Sequence, residues 1–435
     1  MINLLKQLLF INFILFLSLP LGALSSSSFL VSQFAFKNYD YLDSLEKFDK
    51  NEVIYLDDEL INKLIAAVIT EDLTLANDIA ENILLNDEKN QEAYIVRLSY
   101  LHVNKKFNEI NQLRKKNKEK NELIDFIFSN EAKNNTNAIS NSLIDIVVSS
   151  FSTPDKRSLN YNFLLFYISL GKLIDPENDR AALIKGELFQ NLKKDEIAKS
   201  IFKSISKNSP YYIEAQKSLA YNYSTFLTFE EAEKEINLLL KNTEQNYFIK
   251  KVLADFYRYN KRYDLAISIY NELINENKDD LWNIYYMRGI CYERIDNWIR
   301  AEKDFLKSLE IKPDTPNVLN YLAYGWVERD KKLDKSLKML EEAYKANPES
   351  YYIIDSLAWA HFKKNNLNEA SRLMEMVIDM APGEAISLDH LGDIYYAMNR
   401  KREAIHFWRQ ALELAEPEDE ITDDVQSKLD KFNAG

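Results

Sequence analysis

The sequence has few of the residues that carry most chemistry. Among 435 residues there is one cysteine, Cys291, and there are four histidines, His102, His361, His390 and His406. A lone thiol closes no internal disulfide and builds no cysteine-rich metal cluster. Cys291, between Gly289 and Tyr292, therefore reads as a small core residue. Only 8 Gly and 9 Pro occur, too few for a turn-dense all-β chain. No Gly-rich phosphate loop, no H-E-x-x-H and no G-x-S-x-G is present. Basic charge is also in deficit: 55 Lys and Arg face 68 Asp and Glu, a net charge of −13. Phosphate binding rests on clustered cations, so this balance argues against nucleic acid and against a strongly anionic membrane surface. These absences favour a non-enzymatic chain with no cofactor and no metal. The alternative is a metal-dependent enzyme built on His390 and His406, with Asp393 nearby, because these three could meet on neighbouring helices.

What the sequence has is a period. Small residues recur at Gly186, Ala220, Ala254, Gly289, Ala323, Ala358 and Gly392, with gaps of 34, 34, 35, 34, 35 and 34. A repeat of this length, held over seven units, predicts stacked helix pairs. In the fourth unit Tyr285, Gly289 and Tyr292 share one face of a first helix. Ala301, Phe305 and Ser308 share one face of a second, and Pro313 ends it. The last unit reads the same way, with Leu391, Gly392 and Tyr395, then Ala404, Trp408 and Ala411, and Pro417 after them. The unit holding Tyr324 and Trp326 carries one extra residue before Ser336. These positions resemble the tetratricopeptide repeat pattern. The resemblance implies an all-α TPR solenoid, a right-handed superhelix of antiparallel helix pairs.

Around the array the chain divides by composition. Residues 1–25 read as a secretory signal: Lys6, then an apolar run from Leu8 to Leu19, then Pro20, Gly22 and Ala23. Cleavage would follow Ala23 or Ser25; the alternative is an uncleaved N-terminal anchor, the one route to a membrane. The expected location is accordingly the periplasm or cell envelope. Residues 26–130 continue the period in weaker form, with Ser32, Leu64 and Leu98 at the small-residue position. Residues 131–176 hold two apolar runs, SLIDIVVSSF and YNFLLFYISLGKLI, expected as a buried, divergent helix pair connecting to the seven units of 177–416. Residues 417–435 are expected to form an acidic capping helix with Ile421, Val425, Leu429 and Phe432 on one face.

In this repeat type, positions 2, 5, 9, 12 and 13 of each first helix face a concave surface. On them lie Tyr221, Tyr259, Tyr286, Tyr324, Trp359, Phe362 and Tyr396, interleaved with Lys217, Lys251, Asp255, Arg258, Asp355 and Asp389. Tyrosine and tryptophan with occasional arginine suit a protein-binding groove, because rigid rings bury area at low entropic cost. The Tyr221, Tyr259, Tyr286, Tyr324, Asp355, Trp359, Phe362 and Tyr396 set is the candidate site. The Lys-then-Asn clamp of repeats that capture acidic chaperone tails is missing: Lys217 is followed by Tyr221, and Lys251 by Asp255.

Residues 316–415 further resemble proteobacterial envelope repeat proteins, with Asn320, Tyr321, Trp326, Asp355, Trp359 and His390 on the matching positions. That resemblance implies an adaptor that brings cell-wall hydrolases to a carboxyl-terminal processing protease. The chain departs from the lipoprotein members by lacking a cysteine to lipidate. An envelope-assembly or polysaccharide-export scaffold without a protease partner is the alternative.

Overall fold

The computed structural model describes residues 22–48, 57–116, 122–128, 135–151, 160–244, 246–276, 280–417 and 419–433. Residues 1–21, where most of the export signal falls, lie outside this set. Among the described residues all regular structure is helical, and no helix is long and apolar enough to cross a membrane. The chain forms two compact units, residues 1–249 and 250–435, with the division inside helix Tyr247–Tyr259.

Each hairpin is set by a close approach of its two helices. At Gly186, Gly289 and Gly392 an added methyl group would lie 2.4, 2.7 and 2.4 Å from the rings of Phe202, Phe305 and Trp408. These rings sit sixteen positions later, on the second helix. Where alanine holds the small position, the opposite residue is Ile236, Leu340, Met374 or Tyr270, all fully buried. Glycine thus goes with Phe or Trp, and alanine mostly with a narrower side chain. The sum of the two volumes, more than either letter, is what the crossing constrains.

The turn between first and second helix is equally regular. Lys193, Lys261, Asp296, Asp330, Asn365 and Asn399 are left-handed, with φ from 50° to 65°. Each comes seven positions after its small residue. The next residue donates its N–H to the carbonyl five positions back: Arg262 to Tyr257 at 2.8 Å, Asn297 to Tyr292 at 2.8 Å, Arg400 to Tyr395 at 2.8 Å. This is the helix-ending motif that satisfies orphaned carbonyls, built here without glycine at a cost of about 1–2 kcal/mol each. The same geometry marks Tyr39, Glu71 and Lys105, seven positions after Ser32, Leu64 and Leu98. The same seven-residue interval to the turn thus holds at these three N-terminal positions, and Ser32, Leu64 and Leu98 are fully buried. The extra residue near Ser336 is absorbed by a second left-handed position, Lys332. The Ala220 hairpin differs: its turn runs through extended Leu227 and Thr228, and the Thr228 N–H donates to the Glu231 carboxylate at 3.3 Å.

In the first unit, the two apolar runs form helices Thr136–Ser150 and Tyr161–Ile174, packed together. Helix Tyr161–Ile174 also lies against helices Asp57–Ile69 and Gln91–Val103, the first helices of two earlier hairpins. Contact on several sides explains its hydrophobicity all round. Further ties close this unit across long sequence separations. Tyr41 Oη donates to Asn162 at 2.7 Å. Lys185 Nζ, almost fully buried, donates to the Ile69 carbonyl at 3.0 Å and to Glu71 at 2.6 Å. Lys194 pairs with Asp40 at 2.6 Å. The apolar pair is thus more than a connector, because it is a core element of the first unit.

In the second unit the hairpins stack in sequence, and helix Thr422–Asn433 covers the last one. Val425 and Leu429 are buried there, as the apolar face predicts, while Ile421 is only half-buried. The Phe432 side chain lies outside the described residues. Lys428 supplies an anchor absent from the sequence reading, reaching Asp389 at 2.8 Å, Asp393 at 3.0 Å and Asp424 at 2.9 Å.

The crossing geometry makes a direct prediction. Gly289→Ala gains helix propensity of about 1 kcal/mol but overpacks Phe305 at about 1–3 kcal/mol, so the unfolding midpoint in urea falls. Adding Phe305→Leu restores part of it, so the double variant is less destabilised than the sum of the singles. Additive effects would mean that the ring does not set the crossing.

Candidate protein-binding surface

The first helices of successive hairpins pack on one another: Pro316–Glu328 on Tyr351–Lys363, and Tyr351–Lys363 on Ala385–Ala397. This contact decides which of the expected groove residues are available. Tyr286, Asn320, Asp355 and Asp389 all hold position 5, and each is only 7–8% exposed. Position 5 points at the next first helix, so it is inter-repeat packing. Tyr286 lies edge-on to Tyr321, with ring centroids 5.5 Å apart, and burial pushes its phenol above the usual range.

Asp355 and Trp359 belong to a buried polar cluster. Ser387 Oγ donates to Asp355 at 2.5 Å, and His390 Nδ1 lies 3.0 Å from the other oxygen of the same carboxylate. The Trp359 ring stacks on His390 at 4.0 Å between centroids and donates its indole N–H to Glu328 at 2.6 Å. Phe362 stacks on the same tryptophan, 4.7 Å away, and is half-buried, as is Tyr324. Tyr286, Asp355 and Trp359, expected to line a groove, are therefore corrected to residues that join one repeat to the next.

Of the rest of the expected set, Tyr221, Tyr259 and Tyr396 are accessible. Tyr259 is 76% exposed, with the Arg258 guanidinium 4.3 Å from its ring centroid. Tyr396 is 47% exposed and leans on Trp408. Tyr221 is exposed as well, within the first unit. Tyr352 and Ile386, both at position 2, are exposed without having been singled out. The positional rule already contained them, and applying it to every copy would have found them.

The His390, Asp393 and His406 grouping does not assemble. His390 is committed to Asp355, and Asp393 accepts from Trp408 and Lys428. His406 is exposed and lies beside Phe407. Among the described residues no three potential metal ligands converge. Cys291 is fully buried, and burial pushes its thiol up to about 12, which leaves it protonated and inert.

Two outcomes follow. Trp359→Ala leaves a hole in the inter-repeat seam and costs about 3–5 kcal/mol, read as a lowered thermal midpoint. His390 carries a pH signature: burial opposes its charge, but the Asp355 carboxylate, its hydrogen bond, Asp389 and Glu328 outweigh burial and raise the imidazole above its usual range. A raised folded value means the stabilisation is complete below the unfolded value of about 6.5 and fades as pH climbs through the folded one. Thermal midpoints should therefore decline above about pH 6.5, by at most ~1.4 kcal/mol per pH unit, and His390→Gln should flatten that decline.

Similarity to known proteins fits these hairpins. Residues 385–416, the last hairpin before the cap, match the tetratricopeptide repeat family model. The "TPR repeat-containing protein PA4667" of Pseudomonas aeruginosa is 25% identical over 155 residues, which is 35% of this chain and 26% of that relative. The match therefore spans about a quarter of the relative's length. Among solved structures, a tetratricopeptide repeat protein from Parabacteroides merdae covers 58% of this chain and 97% of its own, at 19% identity and a TM-score of 0.44. Yeast Tom70 covers 94% of this chain and 96% of its own, at 15% identity and a TM-score of 0.40. Residues 385–416 are thus a tetratricopeptide repeat by family match, and the other hairpins share its register and its buried small-residue position.

Proposed function

We propose that the chain is a non-enzymatic scaffold of the bacterial cell envelope, exported by its N-terminal segment, that holds protein partners on the first helices of residues 250–435. The observation that carries this reading is helix Tyr161–Ile174. There the chain seats one of its own segments against the first helices of two hairpins. The same kind of surface in the second unit carries Tyr259, Tyr352 and Tyr396, exposed and rigid, with Arg258 beside Tyr259. That composition suits a protein ligand better than a small one. The envelope location rests on residues 1–25, and the partner class rests on the resemblance over residues 316–415. On those grounds the partners are a processing protease or cell-wall hydrolases.

The test is affinity capture from bacterial envelope extract with the wild-type chain and with Tyr259→Ala/Tyr396→Ala, both exposed positions whose loss leaves the seam intact. The variant should keep its thermal midpoint within ~0.5 kcal/mol of stability yet lose the captured protein. Undiminished capture of a protease or hydrolase by the variant would move the binding site elsewhere. Capture of only assembly or export components would replace the adaptor role with the alternative scaffold.

A further inference from the structure

A second surface lies on a different side of the hairpins. Between helices Leu281–Arg294 and Trp298–Ile311 there is an open cleft of about 880 Å³. Its first-helix lining comes from Tyr285 and Tyr292, at positions 4 and 11, so it is not the surface that presents Tyr259 and Tyr396. Its second-helix lining includes Ile299, 84% exposed, and Leu306, 42% exposed. An isoleucine that open is normally an isolated surface accident. Here it stands with a second aliphatic residue and two tyrosines around one depression.

The charges decide what would cover it. Every carboxylate of the cleft is engaged. Asp304 is buried and takes two N–H groups of Arg288, both at 2.7 Å. Glu310 receives Lys307 at 2.7 Å. Glu302 receives Lys332 and the Trp326 indole, each at 2.7 Å. The remaining cations, Arg300 and Lys303, are exposed, and neither has an ion-pair partner among the described residues. The Arg300 guanidinium is held 5.5 Å above the Tyr292 ring centroid. In a chain of net charge −13, this cleft offers two unspent positive charges beside uncovered aliphatic surface.

We infer that the cleft docks a short acidic segment of a partner protein that bears a leucine or phenylalanine. The apolar side chain covers Ile299 and Leu306, and carboxylates on either side of it meet Arg300 and Lys303. Two cations are too few to track a nucleic-acid backbone, which requires a run of them. A peptide needs only the pair, and pairs of this kind steer association and fix register.

The probe is a fluorescein-labelled synthetic peptide, Glu-Asp-Leu-Phe-Glu-Asp, titrated against the full chain by fluorescence anisotropy. A version with lysines in place of the acids is the control. Saturable binding of the acidic peptide is expected, weakened about tenfold by Arg300→Glu/Lys303→Glu and several-fold between about 50 and about 300 mM salt. Carbodiimide coupling should join the peptide to Lys303. Both substituted residues are exposed, and an unchanged circular-dichroism melt confirms folding. Tyr259→Ala/Tyr396→Ala should bind the peptide normally, which separates this cleft from the first-helix surface. The inference is overturned if the acidic peptide does not bind, if the charge-reversed variant binds it equally well, or if the lysine peptide binds as tightly. Binding to phosphatidylserine vesicles in place of the peptide would overturn it as well.

Discussion

The contact between one small residue and one large one at each helix crossing sets the rest of the structure. If the helices stood further apart, the buried ring would lose its dispersion contacts on one side. If they stood closer, the ring would have no room. Gly186 pairs with Phe202, Gly289 with Phe305 and Gly392 with Trp408, whereas Ala220 pairs with Ile236 and Ala358 with Met374, so two compositions fill the crossing. Tyr270, opposite Ala254, is the exception, and its hydroxyl is drawn to Asp255 at 2.6 Å. In every hairpin of the array but the Ala220 one, the first helix then ends at the same turn, with a left-handed residue seven positions on. The second helix then starts in register.

Stacking of the hairpins uses a different chemistry. Along the second unit the seam between first helices mixes rings with hydrogen-bonded charge: Tyr286 on Tyr321, Trp359 on His390 and Asp355 between Ser387 and His390, with Asp389 on Lys428 where the terminal helix closes the stack. Removing one partner from such a contact strands the other in a dry environment, where it costs far more than the pair contributes. A seam of this kind specifies which neighbour fits, because a shifted repeat would leave each buried polar group unmatched. It also fixes which part of the first helix remains for other proteins, namely position 2, with Tyr352 and Ile386, and positions 12 and 13, with Tyr396 and Tyr259.

Much of this was legible in the letters. Periodicity located the hairpins, and it did so even where Ser32, Leu64 and Leu98 replace glycine, because burial at a fixed interval survives substitution. The candidate site was legible only in part. Tyr259 and Tyr396 are accessible, whereas Tyr286, Asp355 and Trp359 are buried, and a tyrosine that packs looks identical in sequence to one that binds. The difference depends on contact with the adjacent hairpin, which no single repeat encodes. The turns escaped notice for a related reason. Lysine, aspartate and asparagine stand where a left-handed conformation invites glycine, so the usual punctuation is absent. Lys428 was hidden because its three carboxylate partners come from two separate stretches of chain.

The seating of helix Tyr161–Ile174 on earlier hairpins has a consequence for synthesis. Nearest-neighbour stacks can fold as they leave the ribosome, each repeat docking on the one before it. The first hairpins of this chain dock on one another but are completed only by a later helix. Their apolar faces wait for a helix some sixty or more residues downstream, and Glu71 waits for Lys185, 114 residues further on. At about 5–20 residues per second, that interval leaves the N-terminal hairpins incompletely covered for roughly 6–23 s. If the chain is exported, the delay becomes useful: a segment that cannot close on itself stays threadable until the part that locks it has been made.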